Sequence, residues 1–331
     1  MDLGIRSFLE LWLTRFALLL IPRLPRRCVM GLARLLGDMG YGLSRHLRRV
    51  GRANLDIAFG KTRDAKWKRR ILRTSFRTFA LVILDLFWFS RDSRNRIEQF
   101  VHFDESFAEF FKPAARICLT AHLGNWELLG RAAAMKGSPM ASVAAPLANR
   151  PLDTLFNRIR SDTGQRVVSK RGAIRALLKI LRDNRKVALL LDQNTKPSES
   201  GLFVEFFGKP APVSTAAAAL ALRSRTPILF GYCIPDQQGH YTISRMQQML
   251  PPEAYDQEDR QACTRRLTRD IACSMENKIR EYPEHWLWMY KRWKYIAPGY
   301  TREDYPFYAK ELTPHDRKIA EATLQAARPT T

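Results

Sequence analysis

Cysteine and histidine are scarce and scattered. Five cysteines (Cys28, Cys118, Cys233, Cys263 and Cys273) and six histidines stand in 331 residues. They form no CxxC pair and no Cys/His group of zinc spacing. The two-histidine helix signature of a zinc hydrolase is missing as well, with its third ligand, so neither a metal site nor a cofactor is expected. Thiols dispersed among apolar residues suggest reduced, buried, structural groups, which places the main body in a reducing compartment. No internal repeat or low-complexity linker divides the chain. No small-residue cleavage site follows the apolar start, which speaks against a secretory signal peptide. Nor is there a long uninterrupted apolar run: FLELWLTRFALLLIP (8–22) is broken by Glu10 and Arg15, and its unbroken part is too short to span a bilayer cleanly.

Acidic residues are the other shortage. Against 55 Lys+Arg there are 32 Asp+Glu, a net charge of +23. Residues 1–75 hold 17 of the basic residues and 5 of the acidic ones, a net +12 in under a quarter of the chain. Such an excess implies an anionic partner: nucleic acid, a phospholipid surface or an acidic protein. The nucleic-acid reading lacks a zinc-finger or aromatic-basic RNA signature to support it. Residues 8–22 admit two readings, an amphipathic core helix or a membrane-seated anchor. The second apolar stretch VMGLARLLGDMGYGL, following after a few residues, favours the anchor. Arg23, Arg26 and Arg27 would then hold its downstream side in the cytoplasm. Residues 65–90 predict a long helix with Trp67, Ile71, Phe76, Phe79 and Ile83 among its apolar positions. Lys66, Arg70, Arg73 and Arg77 form one stripe on it, a solvated face or a contact for phosphate or membrane.

From residue 116 the pattern alternates. RICLTA (116–121), MASVAA (140–145), VALLLD (187–192) and PILFGYCI (227–234) are short apolar runs of the kind that form buried strands. QRVVS (165–169) and HYTISRM (240–246) are weaker candidates. Helical segments are expected at 125–136, 151–163, 172–183, 213–225 and 256–281. The expectation is an α/β fold with a mostly parallel central sheet flanked by helices, and an N-terminal membrane-associated helix. The expected division is a membrane-associating segment 1–25, an α/β domain 26–310 and a polar tail 311–331.

One stretch carries chemistry: LTAHLGNWELLG (119–130), with His122 and Glu127 five positions apart. In a continuous helix they would sit roughly 140° from each other and could not cooperate. Here a strand ends near Ala121, Gly124 allows a tight turn, and Asn125 is a good N-cap. Trp126 and Glu127 then open a helix, and the turn can fold the carboxylate back onto the imidazole. Both lie at the carboxyl end of a strand, where open α/β sheets bind ligands. The partial positive charge of the helix terminus favours an ionised Glu127 and a neutral His122, the form a general base needs. On spacing alone, a structural hydrogen bond remains the alternative.

HLGNWE resembles the His-x4-Asp/Glu block of glycerolipid acyltransferases, in the variant seen in bacterial late lipid A acyltransferases and their phosphatidylinositol mannoside relatives. Four further blocks follow in the family's order: NRIRSDTG (157–164), LLLDQNT (189–195), VEFFGKPAPVSTAAAALA (204–221) and YPEHWLWMYKRWK (282–294). The likeness covers roughly residues 5–297. It implies transfer of a fatty acyl chain from an acyl carrier protein thioester to a hydroxyl of a lipid A precursor. Lysophospholipid or other glycolipid acceptors, and acyl-CoA donors, occur among relatives. By this resemblance His122 is the base and Glu127 its orienting partner. Arg160 binds an anionic group, stabilises the oxyanion or makes a structural salt bridge. Asn125 caps the helix or touches substrate, and Asp192 and Gln193 contact substrate or tie loops. Arg292 faces phosphate, among aromatic residues of core and interface type. The implied partners are acyl carrier protein, an anionic glycolipid and inner-membrane lipids, not nucleic acid. The implied location is the cell inner membrane, with the catalytic domain on its cytoplasmic side. Hydrolysis, with water as acceptor, is the rival reaction.

Overall fold

The computed structural model describes residues 2–144, 149–169, 172–245, 252–255 and 259–325. Two compact units interleave along the chain. One comprises Met1–Gly37, Arg77–Leu189 and Leu229–Gln247; the other comprises Asp38–Phe76, Leu190–Ile228 and Gln248–Thr331.

The first unit is built on a seven-stranded sheet. Its strands are β1 (Val101–Phe103), β2 (Arg116–Thr120), β3 (Met140–Ala144), β4 (Arg166–Ser169), β5 (Lys186–Leu190), β8 (Ile228–Pro235) and β9 (Tyr241–Arg245). Strands β6 (Gly201–Phe206) and β7 (Lys209–Ser214) form a separate hairpin. The order across the large sheet is β1-β9-β8-β2-β5-β3-β4. β3 pairs in parallel with both β4 and β5, and β1 in parallel with β9; the β8–β9 hairpin is antiparallel. The mostly parallel α/β architecture expected from the sequence is therefore present. β8 is buried at six successive positions, as a strand covered on both faces must be. The core joins Leu128, Leu129, Ala132 and Ala133 of helix Trp126–Met135 to Leu229, Cys233 and Ile243 of the sheet and to Phe87, Trp88 and Phe89.

Predicted strands and helices fall within a few residues of the observed ones. Ala145, Met246 and positions 256–258 lie outside the described residues. The helix predicted from 213 begins instead at Ala216, because Lys209–Ser214 is β7. Pro210 and Pro212 hid that strand. A two-stranded hairpin has only edge strands, where a missing N–H is tolerated. β1, three residues long, went unpredicted.

In the second unit an aromatic cluster forms the core. Trp286, Trp288 and Trp293 are buried against Phe206 and Phe207 of the hairpin, and Phe59 joins them. Asn54, fully buried, donates to the carbonyls of Trp288 and Tyr290, both at 2.7 Å. The segment after residue 311, expected to be a polar tail, carries helix Pro314–Gln325 with Ala320 and Asp316 buried. At the start of that helix Thr313 Oγ1 accepts from the Asp316 N–H at 3.2 Å, as an N-cap does, and donates to Asp316 Oδ2 at 2.8 Å.

At the N-terminus, helix Asp2–Leu20 leads into a short turn, Ile21–Arg23. Among the described residues no helix is long and apolar enough to cross a membrane. Phe8, Trp12, Leu13, Phe16, Leu19 and Leu20 nonetheless lie exposed on this first helix. All five thiols are free, as expected, but only Cys233 and Cys263 are fully buried. Cys28 and Cys273 occupy outward positions of amphipathic helices and are exposed.

Candidate active site

The site grows from the end of β2. After Thr120 the chain turns through His122 and Gly124 into helix Trp126–Met135. Gly124 has φ +63°, and a Cβ there would run into the carbonyl of Cys233 on β8. Only glycine meets both demands. The approach has a purpose: the Asn125 N–H donates to that same carbonyl at 2.7 Å, pinning the turn to the sheet. Asn125 then caps the helix, its Oδ1 accepting from the Leu128 N–H at 3.0 Å. The strand–turn–helix predicted from Gly124 and Asn125 is what forms.

His122 is half-buried, its ring edge-on to Trp126 with centroids 4.6 Å apart. Glu127, in the first turn of the helix, meets Arg160, in the last turn of helix Arg150–Ser161. The contact is a two-pronged one: Nε to Oε2 at 2.8 Å and Nη2 to Oε1 at 2.7 Å. Both side chains are about four-fifths buried, 19% and 20% exposed. Each charge sits at the helix end whose dipole favours it. Burial works against the Arg160 charge, but the hydrogen bonds and field of Glu127 more than offset it and raise the guanidinium pKa. Of the roles considered from the sequence for Arg160, an anion binder, an oxyanion stabiliser or a salt-bridge partner, the structure shows the salt bridge, to the Glu127 carboxylate. Its remaining Nη1 reaches Asn157 Oδ1 at 3.4 Å.

An apolar and a polar hollow lie among the described residues of this unit. A narrow apolar cavity is lined by Cys118 and Thr120 of β2, Leu129 of the 126–135 helix, and Phe107, Phe110 and Phe230 among others. A polar cleft is lined by Asp153, Asn157, Ser161, Gln165, Arg166 and Ser169. Asn157 belongs to the cleft and also to the Arg160 contact. Cys118 offers no nucleophile, since desolvation pushes its thiol up to about 12. Among the described residues no group of three or more His, Cys, Asp or Glu could hold a metal ion.

The model of the bacterial lipid A biosynthesis acyltransferases matches residues 3–295. The chain belongs to this family. Phosphatidylinositol mannoside acyltransferases of two Mycobacterium tuberculosis strains, CDC 1551 / Oshkosh and ATCC 25618 / H37Rv, are 28% identical to it over 116 residues. That match takes in 34% of this chain and 36% of theirs, so it spans about a third of the length of these curated relatives. A crystal structure of the 1-acyl-sn-glycerophosphate (LPA) acyltransferase PlsC from Thermotoga maritima overlaps 79% of this chain and 99% of its own, at 12% identity and TM-score 0.38.

The acyltransferase family's later blocks lie in the second unit. Asp192 is buried and accepts from Trp286 Nε1 at 2.8 Å, so it ties the Asp-Gln block to the tryptophan block. Gln193 beside it is exposed. Arg292, expected to face phosphate, is fully buried instead. It lies over the Phe206 ring and donates to Asn194 Oδ1 at 3.0 Å and the Pro212 carbonyl at 3.1 Å. Desolvation lowers its pKa to about 10. Sequence reasoning missed Asp85, whose buried carboxylate touches Asn125. The signal was present: it is the one charge in the apolar run LVILDLFWF (81–89).

Proposed function

We propose that this chain moves a fatty acyl group from an acyl carrier protein thioester to a hydroxyl of a lipid A precursor at the cytoplasmic face of the inner membrane. The observation that carries the reading is the pinned His122–Glu127 turn at the end of β2, with the carboxylate held by Arg160. His122 takes the proton of the acceptor hydroxyl as the oxygen attacks the thioester carbonyl. The tetrahedral intermediate then expels the carrier thiolate, which receives that proton from the imidazolium, leaving an ester and a free thiol. Such general-base assistance contributes about 10²–10⁴-fold. Each Glu127 oxygen has a second lone pair beyond the one given to Arg160, so the carboxylate can also orient the imidazole, as in a serine protease triad.

The surroundings support the same reading. The polar cleft around Asn157 suits a hydroxylated headgroup. The basic surface attracts both an acidic carrier protein and an anionic lipid. The exposed Phe8, Trp12 and Phe16 suit seating in an interface rather than a crossing of it.

The test is a reconstitution with lauroyl- or myristoyl-carrier protein and a lipid A precursor lacking secondary chains, read by mass spectrometry. One added acyl group, lost in His122→Ala, is expected. Acylation of a phosphatidylinositol mannoside or lysophospholipid alone would reassign the acceptor. Preference for acyl-CoA would reassign the donor, and release of free fatty acid without acceptor would make the protein a hydrolase.

A further inference from the structure

A buried ionic cluster in the first unit ends on the cap of the candidate catalytic helix. Asp85 is 1% exposed, Tyr241 1%, Asn125 1% and Arg26 8%. Oδ1 of Asp85 accepts from Arg26 Nη1; Oδ2 accepts from Arg26 Nη2 at 3.3 Å, from the Tyr241 hydroxyl and from Asn125 Nδ2 at 3.2 Å. Arg26 is fixed in turn. Its Nε and Nη2 donate to the Gly239 carbonyl at 3.2 and 2.9 Å, and its guanidinium lies over the rings of Trp88, Phe89, Phe100 and Tyr241. A Cβ at Gly239 would stand 2.7 Å from Arg26 Nε, so the turn before β9 is shaped around this arginine.

The consequence falls on Asn125. An asparagine amide can be placed two ways round, and only one serves as a cap. With Nδ2 drawn to Asp85 and to the Tyr241 oxygen at 3.3 Å, Oδ1 is left facing the Leu128 N–H. The cap sets the first turn of the helix that carries Glu127, and Asn125 stands three residues after His122. Alanine or serine at 85 would leave a buried arginine with no carboxylate, whereas a surface cap needs no such support. The cluster therefore does more than fill space.

We propose that Asp85, clamped by Arg26 and Tyr241, is a positioning residue: it selects the capping orientation of Asn125 and so holds His122 and Glu127 in register. This rests on the acyl-transfer reading above only for its kinetic arm. The test is Asn125→Asp, which keeps an acceptor for the Leu128 N–H but puts a carboxylate where Asp85 requires a donor. A fall in kcat of roughly 100-fold is expected, the scale of an ångström misplacement, with KM within threefold of wild type. Tyr241→Phe, the gentlest cut, gives an intermediate loss if Asn125→Asp does not fold.

The second readout needs no substrate: imidazole ¹⁵N NMR, with the His122 signal identified by its absence in His122→Ala. Positioning predicts that this signal moves in Asn125→Asp and Tyr241→Phe while those of His46, His285 and His315, in the second unit, stay. An unmoved His122 signal together with kcat within twofold of wild type would overturn the proposal. A moved signal in a protein that acylates none of the acceptors would leave positioning standing and remove the acyl-transfer reading.

Discussion

Arg160→Ala tests the central contact most directly. It removes both hydrogen bonds to Glu127 and leaves a carboxylate four-fifths buried with no guanidinium opposite. The charge centres of such a pair lie about 4 Å apart, worth roughly 4 kcal/mol at an effective dielectric of 20. Desolvation of the two groups offsets part of that. Fully buried pairs lose about 3–5 kcal/mol when one partner goes, and exposed pairs lose about 0–1. At this burial about 2–3 kcal/mol is expected. If the pair holds Glu127 for catalysis, the loss falls on the transition state and lowers kcat/KM about 30- to 150-fold. Arg160→Lys keeps the charge but not the planar fork and should lie between. The assay is steady-state acyl transfer by Arg160→Ala, Glu127→Gln and the double variant, with thermal unfolding of each. Acting as a unit, the double variant should be little worse than the worse single one. Strictly additive losses, or an Arg160→Ala protein with wild-type turnover, would refute the coupling.

Other outcomes follow from separate contacts. Gly124→Ala forces a side chain into the left-handed region and into the Cys233 carbonyl, and should cost about 2–4 kcal/mol in denaturant unfolding and abolish turnover. Trp286→Phe loses the hydrogen bond to Asp192 and leaves a cavity where the second indole ring stood; a loss of about 2–4 kcal/mol is expected in the same measurement. The carboxyl of Asp316 is held below its ordinary value, first by Ser198 and then by Thr313. A depressed carboxyl stabilises fully above its unfolded pKa, about 3.9, and the benefit is lost as pH falls through the lower folded value. Amide protection in helix Pro314–Gln325 should therefore drop below about pH 4, and Asp316→Asn should show that drop already at pH 7 by hydrogen exchange. Trp12→Glu with Phe16→Glu removes two exposed aromatics from the first helix. Each is worth about 1.5–3 kcal/mol when buried, so binding to anionic vesicles in a sedimentation assay should weaken roughly 100-fold or more.

Much of the fold could be read directly because its signals are local. β2, β5 and β8 are apolar runs, and the turn at 122–127 declares itself through one glycine and one capping asparagine. Features made by distant partners stayed hidden. Glu127 finds Arg160 33 positions on, and Asp85 finds Asn125 and Tyr241 40 and 156 positions away. No periodicity encodes such pairings. Arg160 and Arg292 show why: a guanidinium serves equally to bind an anion, to hold a neighbouring carboxylate or to lie buried on a ring. Only the surroundings decide. The helix after residue 313 was missed because its few buried positions, Asp316 and Ala320, look polar or small.

Strand order has a consequence for synthesis. β1 lies at one edge of the large sheet and, among the described residues, has β9 as its only neighbouring strand, with Val101 in register with Tyr241. A ribosome adding about 5–20 residues per second therefore keeps β1 waiting roughly 7–28 s for its mate. Tyr241, the hydroxyl partner of Asp85, arrives on that same late strand. The candidate corner is thus completed well after His122 has been made, and a chain stalled before residue 241 carries the histidine without the clamp.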